Sequence, residues 1–210
     1  MKKDSFVKDA IVLTAITLVS GLLLGGVYGL TKQRIYEANM ASTIESYHKV
    51  MDAESYDEES MTDALEKAKT DGTVSAGNGG AELLSAVAAK DAGGEAIGYI
   101  VKGQAAGYGG NVIVVVGVTP DLKVSGISFP ETLPETAGLG QKATEPEFYK
   151  QFAGKGTKLS VKKGGGAGEN EIDAISGATI TSTAVTNTVN AATQFIGDYV
   201  LEQGGGGKNG

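Results

Sequence analysis

Residues 111–129, NVIVVVGVTPDLKVSGISF, decide the reading of the fold. Val112-Ile113-Val114-Val115-Val116 is β-branched throughout, the composition of a strand buried on both faces. Thr119-Pro120-Asp121 supplies a compact turn, so the stretch predicts an antiparallel hairpin of Asn111–Val118 and Leu122–Phe129. Working back toward the N-terminus, Ala81–Lys90 and Ala96–Lys102 read as two more extended segments. Gly72–Gly80 breaks the chain ahead of them, and residues 35–70 carry apolar positions at helical spacing among many acids. Working forward, a loop with Pro130 and Pro134 leads to Gly138-Leu139-Gly140. Val185, Val189, Ala192, Ile196 and Val200 then form one apolar helical stripe, predicting a helix from about Ser182 to Glu202. Helix, strands, loop and helix in that order predict an α+β domain with a largely antiparallel sheet and flanking helices.

Composition narrows the chemistry. The 210 residues include no cysteine and one histidine, His48, so thiolate-held clusters, disulfides and ordinary zinc or copper sites are excluded as expectations. No metal ligand set and no catalytic residue is assigned, and any redox carrier must be organic. The lone His48 fits a solvated surface role. The formal charge of −7, with no basic block, argues against nucleic acid as a partner.

Ala10–Thr31 is free of charged residues and lies between Asp9 and Lys32. A helix of that length spans about 33 Å against a hydrocarbon core of about 30 Å. Its threonines and serine can bond back to the helix backbone, and the run is long for a signal peptide and lacks a small-residue cleavage site. The expected organisation is a tail over 1–9, a single transmembrane anchor over 10–31, a helical connector over 32–80, the globular domain over 81–203 and a disordered Gly-rich tail over 204–210. Lys2, Lys3 and Lys8 ahead of the anchor favour a cytoplasmic N-terminus, which puts the globular domain on the extracytoplasmic side of the cell membrane.

The residues with chemical promise precede the last helix. Asp173-Ala-Ile-Ser176-Gly177-Ala178-Thr179 places small residues and hydroxyls at a helix N-terminus, where unpaired N–H groups and the dipole favour a phosphate. Ordinary N-capping by Ser or Thr explains the same residues, and on composition alone it is the readier account. Glu135-Thr136-Ala137-Gly138-Leu139-Gly140-Gln141-Lys142 is a glycine-bearing loop whose backbone can approach a flat ring or phosphate closely. In Gly107-Tyr108-Gly109-Gly110, Tyr108 serves equally well beside a ring or in a plain turn. Phe148, Tyr149 and Phe152 read as core packing before stacking on a ligand ring.

These three elements, in their chain order (107–110, 135–142, 173–179) behind an anchor, resemble the G-subunit family of the Rnf ion-translocating electron-transport complexes. The related C subunit of sodium-translocating NADH:quinone reductases shares the same FMN-binding domain, though its members tend to be longer. The resemblance implies that Thr179 accepts FMN through a phosphoester made by an FMN transferase, within the motif Asp173-x-x-Ser176-Gly177-Ala178-Thr179. It also implies that Glu135, Thr136, Gly138, Leu139 and Gly140 contact the flavin, that Lys142 places positive charge near the isoalloxazine, and that Tyr108 packs beside it. Ala137 stands where the family usually has Pro, and Leu133 where it often has His. The implied role is a membrane-anchored electron-transfer subunit of a ferredoxin:NAD+ oxidoreductase complex, not catalytic alone, with the bilayer, the other members of the complex and the transferase as partners. A component like the quinone-reductase C subunit, an anchored FMN-domain reductase and a binding module are the alternatives.

Overall fold

A computed structural model describes residues 3–202; the glycine tail expected over 204–210 lies outside the described residues. The chain divides into two compact units, one through Ser42 and one from Thr43 onward. Helix α1, Lys3–Val50, runs through that division.

In the first unit, Lys8–Lys32 is a helical stretch of 25 residues, long and apolar enough to cross a membrane. Its large side chains, Ile11 to Leu30, are exposed, and burial within the chain therefore does not account for their apolarity. Thr14 and Thr31 each donate their hydroxyl to the carbonyl four residues back, at 2.8 and 2.9 Å, and Thr17 bonds Thr14 at 2.9 Å. The helix thus hides its hydroxyls by the back-bonding expected of it.

The second unit is built on a five-stranded antiparallel meander. Its strands are β1 (Ser55–Asp57), β2 (Glu82–Lys90), β3 (Ala96–Ala106), β4 (Asn111–Val118) and β5 (Val124–Ser128), paired in chain order. Helices α2 (Thr62–Asp71) and α3 (Thr73–Gly77) fall between β1 and β2. After β5 come the short α4 (Pro146–Tyr149), a small parallel pair of β6 (Ser160–Lys162) and β7 (Glu171–Asp173), and the long α5 (Thr179–Phe195). The chain then widens into a π-helical turn over Ile196–Leu201, where Tyr199 hydrogen-bonds Asp71 and, at 3.0 Å, Thr73.

Strand β4 has the valine run that opened the sequence reading, and both its faces are covered. Val112, Val114, Val116 and Val118 face the main core with Val101, Val185, Val189 and Phe195. Val115 faces the other way, into a cluster with Ile100, Val87, Tyr47 and Val50 from the end of α1. Burying one such valine fully is worth roughly 1.5–3 kcal/mol, so a run of them fixes this strand at the centre of the sheet. Gly103 on β3 lets α5 lie close: a Cβ there would sit 3.0 Å from Thr188 Cγ2 and 2.9 Å from the Glu82 carbonyl oxygen. Ser125 Oγ donates to the Val50 carbonyl at 2.6 Å and Tyr56 OH to the Met51 carbonyl at 3.0 Å, which ties the end of α1 to the sheet.

Several boundaries differ from the sequence reading. The stretch 35–70 is not continuously helical, since β1 interrupts it and pairs with Asp57 opposite Ala88. Three residues cannot announce a strand by periodicity; the edge of β2 recruits them. The hairpin connection takes five residues, Thr119–Lys123, because Leu122 adopts φ 60° and the ladder shifts at Gly117/Val118, so β5 starts at Val124. Strand β3 runs to Ala106, and the Gly72–Gly80 break holds α3. The last helix begins at Thr179, three residues before the expected start.

Candidate functional site

The first turn of α5 has no side-chain cap. Ala178 occupies the N-cap position at φ −132°, and Thr179 is the first helical residue, so its hydroxyl is not the capping group that composition favoured. Ala178 N–H bonds the Ile175 carbonyl at 2.9 Å, and Ser182 N–H closes the first helical bond to Ala178 at 3.0 Å. The N–H groups of Thr179, Ile180 and Thr181 lie between these two and are the open donors expected of a helix start. Gly177, at φ 76°, turns the chain into that position. Ser182 braces the turn from behind: its Oγ accepts the Ile175 N–H and donates to the Ala178 carbonyl, both at 3.0 Å.

A cavity of about 530 Å³ opens in front of this turn, lined by Tyr108, Glu135, Thr136, Leu139, Gly140 and residues 177–181. The loop from Glu135 wraps on one acceptor, the Thr136 carbonyl, which takes the N–H groups of Leu139 at 3.1 Å and Gln141 at 3.3 Å. Gly138, at φ 74°, provides the reversal between them. Glu135 is buried, and its Oε1 accepts the Tyr108 N–H at 2.8 Å. That bond joins the Gly107–Gly110 element to the Glu135–Gly140 loop across 27 residues of sequence. Glycine is required on both sides of the carboxyl group: a Cβ on Gly107 would collide with Oε1, and one on Gly140 would lie 2.5 Å from Oε2. Tyr108, Leu139 and Ile180, exposed at 75%, 42% and 54%, all line this cavity and give it apolar walls.

One atom on the wall stands out. Thr181 is 1% exposed, and its Oγ1 is the buried side-chain atom without a hydrogen-bond partner among the described residues. The other buried hydroxyls of α5 donate to the carbonyl four residues back, as Thr186, Thr188 and Thr193 do at 2.9, 3.0 and 3.1 Å. The residue four before Thr181 is Gly177, which lies outside the helix, so the same escape is closed to it. An unpaired buried hydroxyl costs about 1–3 kcal/mol and marks a place where a ligand atom would be welcome.

Of the residues singled out from the sequence, Tyr108, Glu135, Thr136, Leu139, Gly140, Gly177, Ala178 and Thr179 therefore share one cavity. Gly138 shapes its loop from outside. Lys142, Asp173 and Ser176 instead line a neighbouring cavity of about 290 Å³, together with Phe148 and Gln151. There Asp173 Oδ1 accepts the Ala167 N–H at 2.9 Å, and its own N–H bonds Gln151 Oε1 at 2.7 Å. Phe148 and Phe152 meet edge to face at 5.5 Å inside the core, as packing residues. His48, half exposed, bonds Asp52 at 3.2 Å and Tyr56 at 3.0 Å on the surface. Sequence reasoning missed Ile180 and Thr181 as lining residues. Among the described residues there is no group of acids and histidine that would hold a metal.

The family described as FMN-binding domain matches residues 107–194, a span that holds the whole of this cavity. Residues 107–194 are thus similar to an FMN-binding domain. The cavity fits the cofactor: the volume suits a ligand of that size, apolar side chains can flank a flat ring, and the open N–H groups of α5 suit a phosphate. The chain is 45% identical over 117 residues to the G subunit of the Na+-translocating ferredoxin:NAD+ oxidoreductase complex of Acetobacterium woodii, covering 54% of this chain and 55% of that protein. The G subunit of the ion-translocating oxidoreductase complex of Shewanella piezotolerans is 28% identical over 209 residues, with 94% and 92% covered. Among solved structures, NqrC of Shewanella oneidensis aligns with a TM-score of 0.49 at 23% identity, over 57% of this chain and 59% of that one. The chain spans about half the length of several of the curated relatives it matches. These relatives are named as subunits of ion-translocating oxidoreductase complexes.

Proposed function

We propose that this chain is the membrane-anchored G subunit of an Rnf-type ferredoxin:NAD+ oxidoreductase complex, carrying electrons on FMN joined through its phosphate to Thr179. The observation that carries the proposal is the uncapped start of α5. Thr179 offers a hydroxyl to the cavity at a point where three backbone N–H groups await an anion and no side chain supplies one.

Esterification replaces the Thr179 Oγ–H bond with an Oγ–P bond, while the bond from that phosphorus to the donor's leaving group breaks and the leaving group departs with the electron pair, the proton passing to a base. No residue able to deprotonate that hydroxyl is bonded to it among the described residues, so the activated phosphoryl donor and the base fall to the FMN transferase. The chain's own residues then position the product. The α5 N–H groups face the phosphate, Gly177 and Ala178 keep the approach clear, and Tyr108, Leu139 and Ile180 border the ring. When bound, FMN supplies one- and two-electron chemistry that a chain without cysteine cannot perform. Lys142, Asp173 and Ser176 belong to this reading as outer contacts, reached from the neighbouring cavity.

Lys8–Lys32 serves as the single-pass anchor, with the globular domain on the extracytoplasmic side and residues 81–203 as the FMN-binding domain. It carries no charged residue between Asp9 and Lys32, so the ion path belongs to partner proteins of the complex. In-gel fluorescence tests the central link. Protein made in a host with the transferase should keep a fluorescent flavin band after denaturation, and a dark band contradicts the ester.

A further inference from the structure

We infer that Glu135 and Thr181 form a two-sided clip for a hydroxyl of the cofactor's ribityl chain, a role that rests on the FMN reading of the same cavity. Both side chains close on Gly140 at the cavity wall, and its missing side chain is what lets them stand so near one another. The point where its Cβ would stand is 2.5 Å from Glu135 Oε2 and 2.8 Å from Thr181 Oγ1. The two oxygens are not hydrogen-bonded to each other, since Thr181 Oγ1 has no partner among the described residues. Glu135 spends Oε1 on the Tyr108 N–H, which fixes the carboxyl group and leaves Oε2 beside Gly140.

The chemistry of the pair selects its occupant. Glu135 Oε2 accepts a hydrogen bond, and Thr181 Oγ1 carries a proton to donate. A single alcohol satisfies both, donating to the carboxylate and accepting from the threonine. A phosphate oxygen has no proton to give and would meet the carboxylate as a like charge, so it belongs with the α5 N–H groups instead. The isoalloxazine needs the apolar walls. Of the parts of FMN, only the ribityl chain presents alcohols, and it connects a phosphate at Thr179 to a ring beside Tyr108 and Leu139. Thr181 is thus a positioning residue: it holds the chain in one conformation between tether and ring.

The test compares wild type, Thr181→Val, Thr181→Ser and Glu135→Gln, each made with and without the transferase. Without flavin, Thr181→Val should melt no lower than wild type, because it removes a buried hydroxyl that has nothing to bond. With flavin it should gain less melting temperature than wild type gains, and Thr181→Ser should recover the gain. Holoprotein carrying carbon-13-labelled ribityl FMN should show one ribityl carbon shifted in Thr181→Val and Glu135→Gln, with the phosphorus signal unmoved. An equal flavin-induced gain in Thr181→Val, or a phosphorus shift with still ribityl carbons, overturns the clip. Should wild type carry no ester at all, that failure concerns Thr179 and leaves the clip open to titration with free FMN. There Thr181→Val should bind roughly tenfold more weakly, the loss of about one hydrogen bond, and equal affinity rejects the inference.

Discussion

Gly140→Ala asks the most of the smallest change. Gly140 starts a 3-10 turn and is not in the left-handed region, so alanine meets no backbone penalty there. Its cost is steric. The new methyl would lie 2.5 Å from Glu135 Oε2, 2.8 Å from Glu135 Cβ and 2.8 Å from Thr181 Oγ1. All three belong to buried side chains with little room to retreat, one of them held by the Tyr108 N–H. Overpacking of this kind costs about 1–3 kcal/mol, and for a unit of this size each kcal/mol moves the melting temperature by about 2–4 °C. The flavin-free variant should therefore melt about 2–12 °C below wild type by circular dichroism. The same methyl would push Glu135 and Thr181, which line the cavity, out of place, so flavin labelling should fall with it. Gly94→Ala is the control: its φ of 82° carries a backbone cost, but nothing lies within 4 Å of the new methyl, and labelling should be normal. A Gly140→Ala protein with wild-type melting and full labelling would refute the geometry drawn around Glu135.

Other variants separate the tether from the fold. Thr179→Ala removes a half-buried hydroxyl that caps nothing, so covalent flavin should vanish while the melt stays within about 0.5 kcal/mol of wild type; flavin that survives denaturation in this variant rejects Thr179 as acceptor. Thr179→Ser keeps the hydroxyl and should retain part of the labelling on the same gel. Gly177→Val places a β-branched side chain at φ 76° and within 3.1 Å of Leu139 Cδ2, and normal labelling would show that the small-residue turn is unimportant. Asp57 on the edge strand is held below the usual carboxylate range by the Lys90 ammonium, 2.5 Å away, and by the Ser60 N–H. A lowered folded-state value means stability present above the unfolded value and lost as pH falls through the folded one. Asp57→Asn should thus be less stable than wild type near neutral pH in urea melts, with the difference closing at acid pH below the ordinary aspartate range; a difference that persists there contradicts the assignment.

The parts of the fold that sequence reveals are those whose physics is local. The β-branched run at Val112–Val116 announces a central strand because burial on both faces leaves no alternation to conceal it. Strand β1 stays hidden because three residues within a polar stretch become a strand only through the edge of β2. Helix α5 is partly disguised: Thr186, Thr188 and Thr193 read as polar, yet their hydroxyls are spent on the helix backbone and their side chains are buried in the core. In the site, residues from Tyr108, Glu135–Gly140 and Gly177–Thr179 were legible as separate pieces, and the Glu135–Tyr108 bond is what joins them. Thr181 was not legible, because its hydroxyl is orphaned only by the place where the helix happens to begin. Asp173, Ser176 and Lys142 sit beside cavity residues in sequence, but the turn at Gly177 and the 3-10 turn from Gly140 direct them into the adjacent cavity.

The most direct measurement is the mass of the tryptic peptide Gly164–Lys208 from protein made with an active FMN transferase, since no lysine or arginine interrupts that span. The account predicts a peptide heavier by FMN less one water, with fragmentation placing the addition on Thr179. An unmodified peptide from the same preparation, or an addition located on Ser176, Thr181 or Ser182, would contradict it.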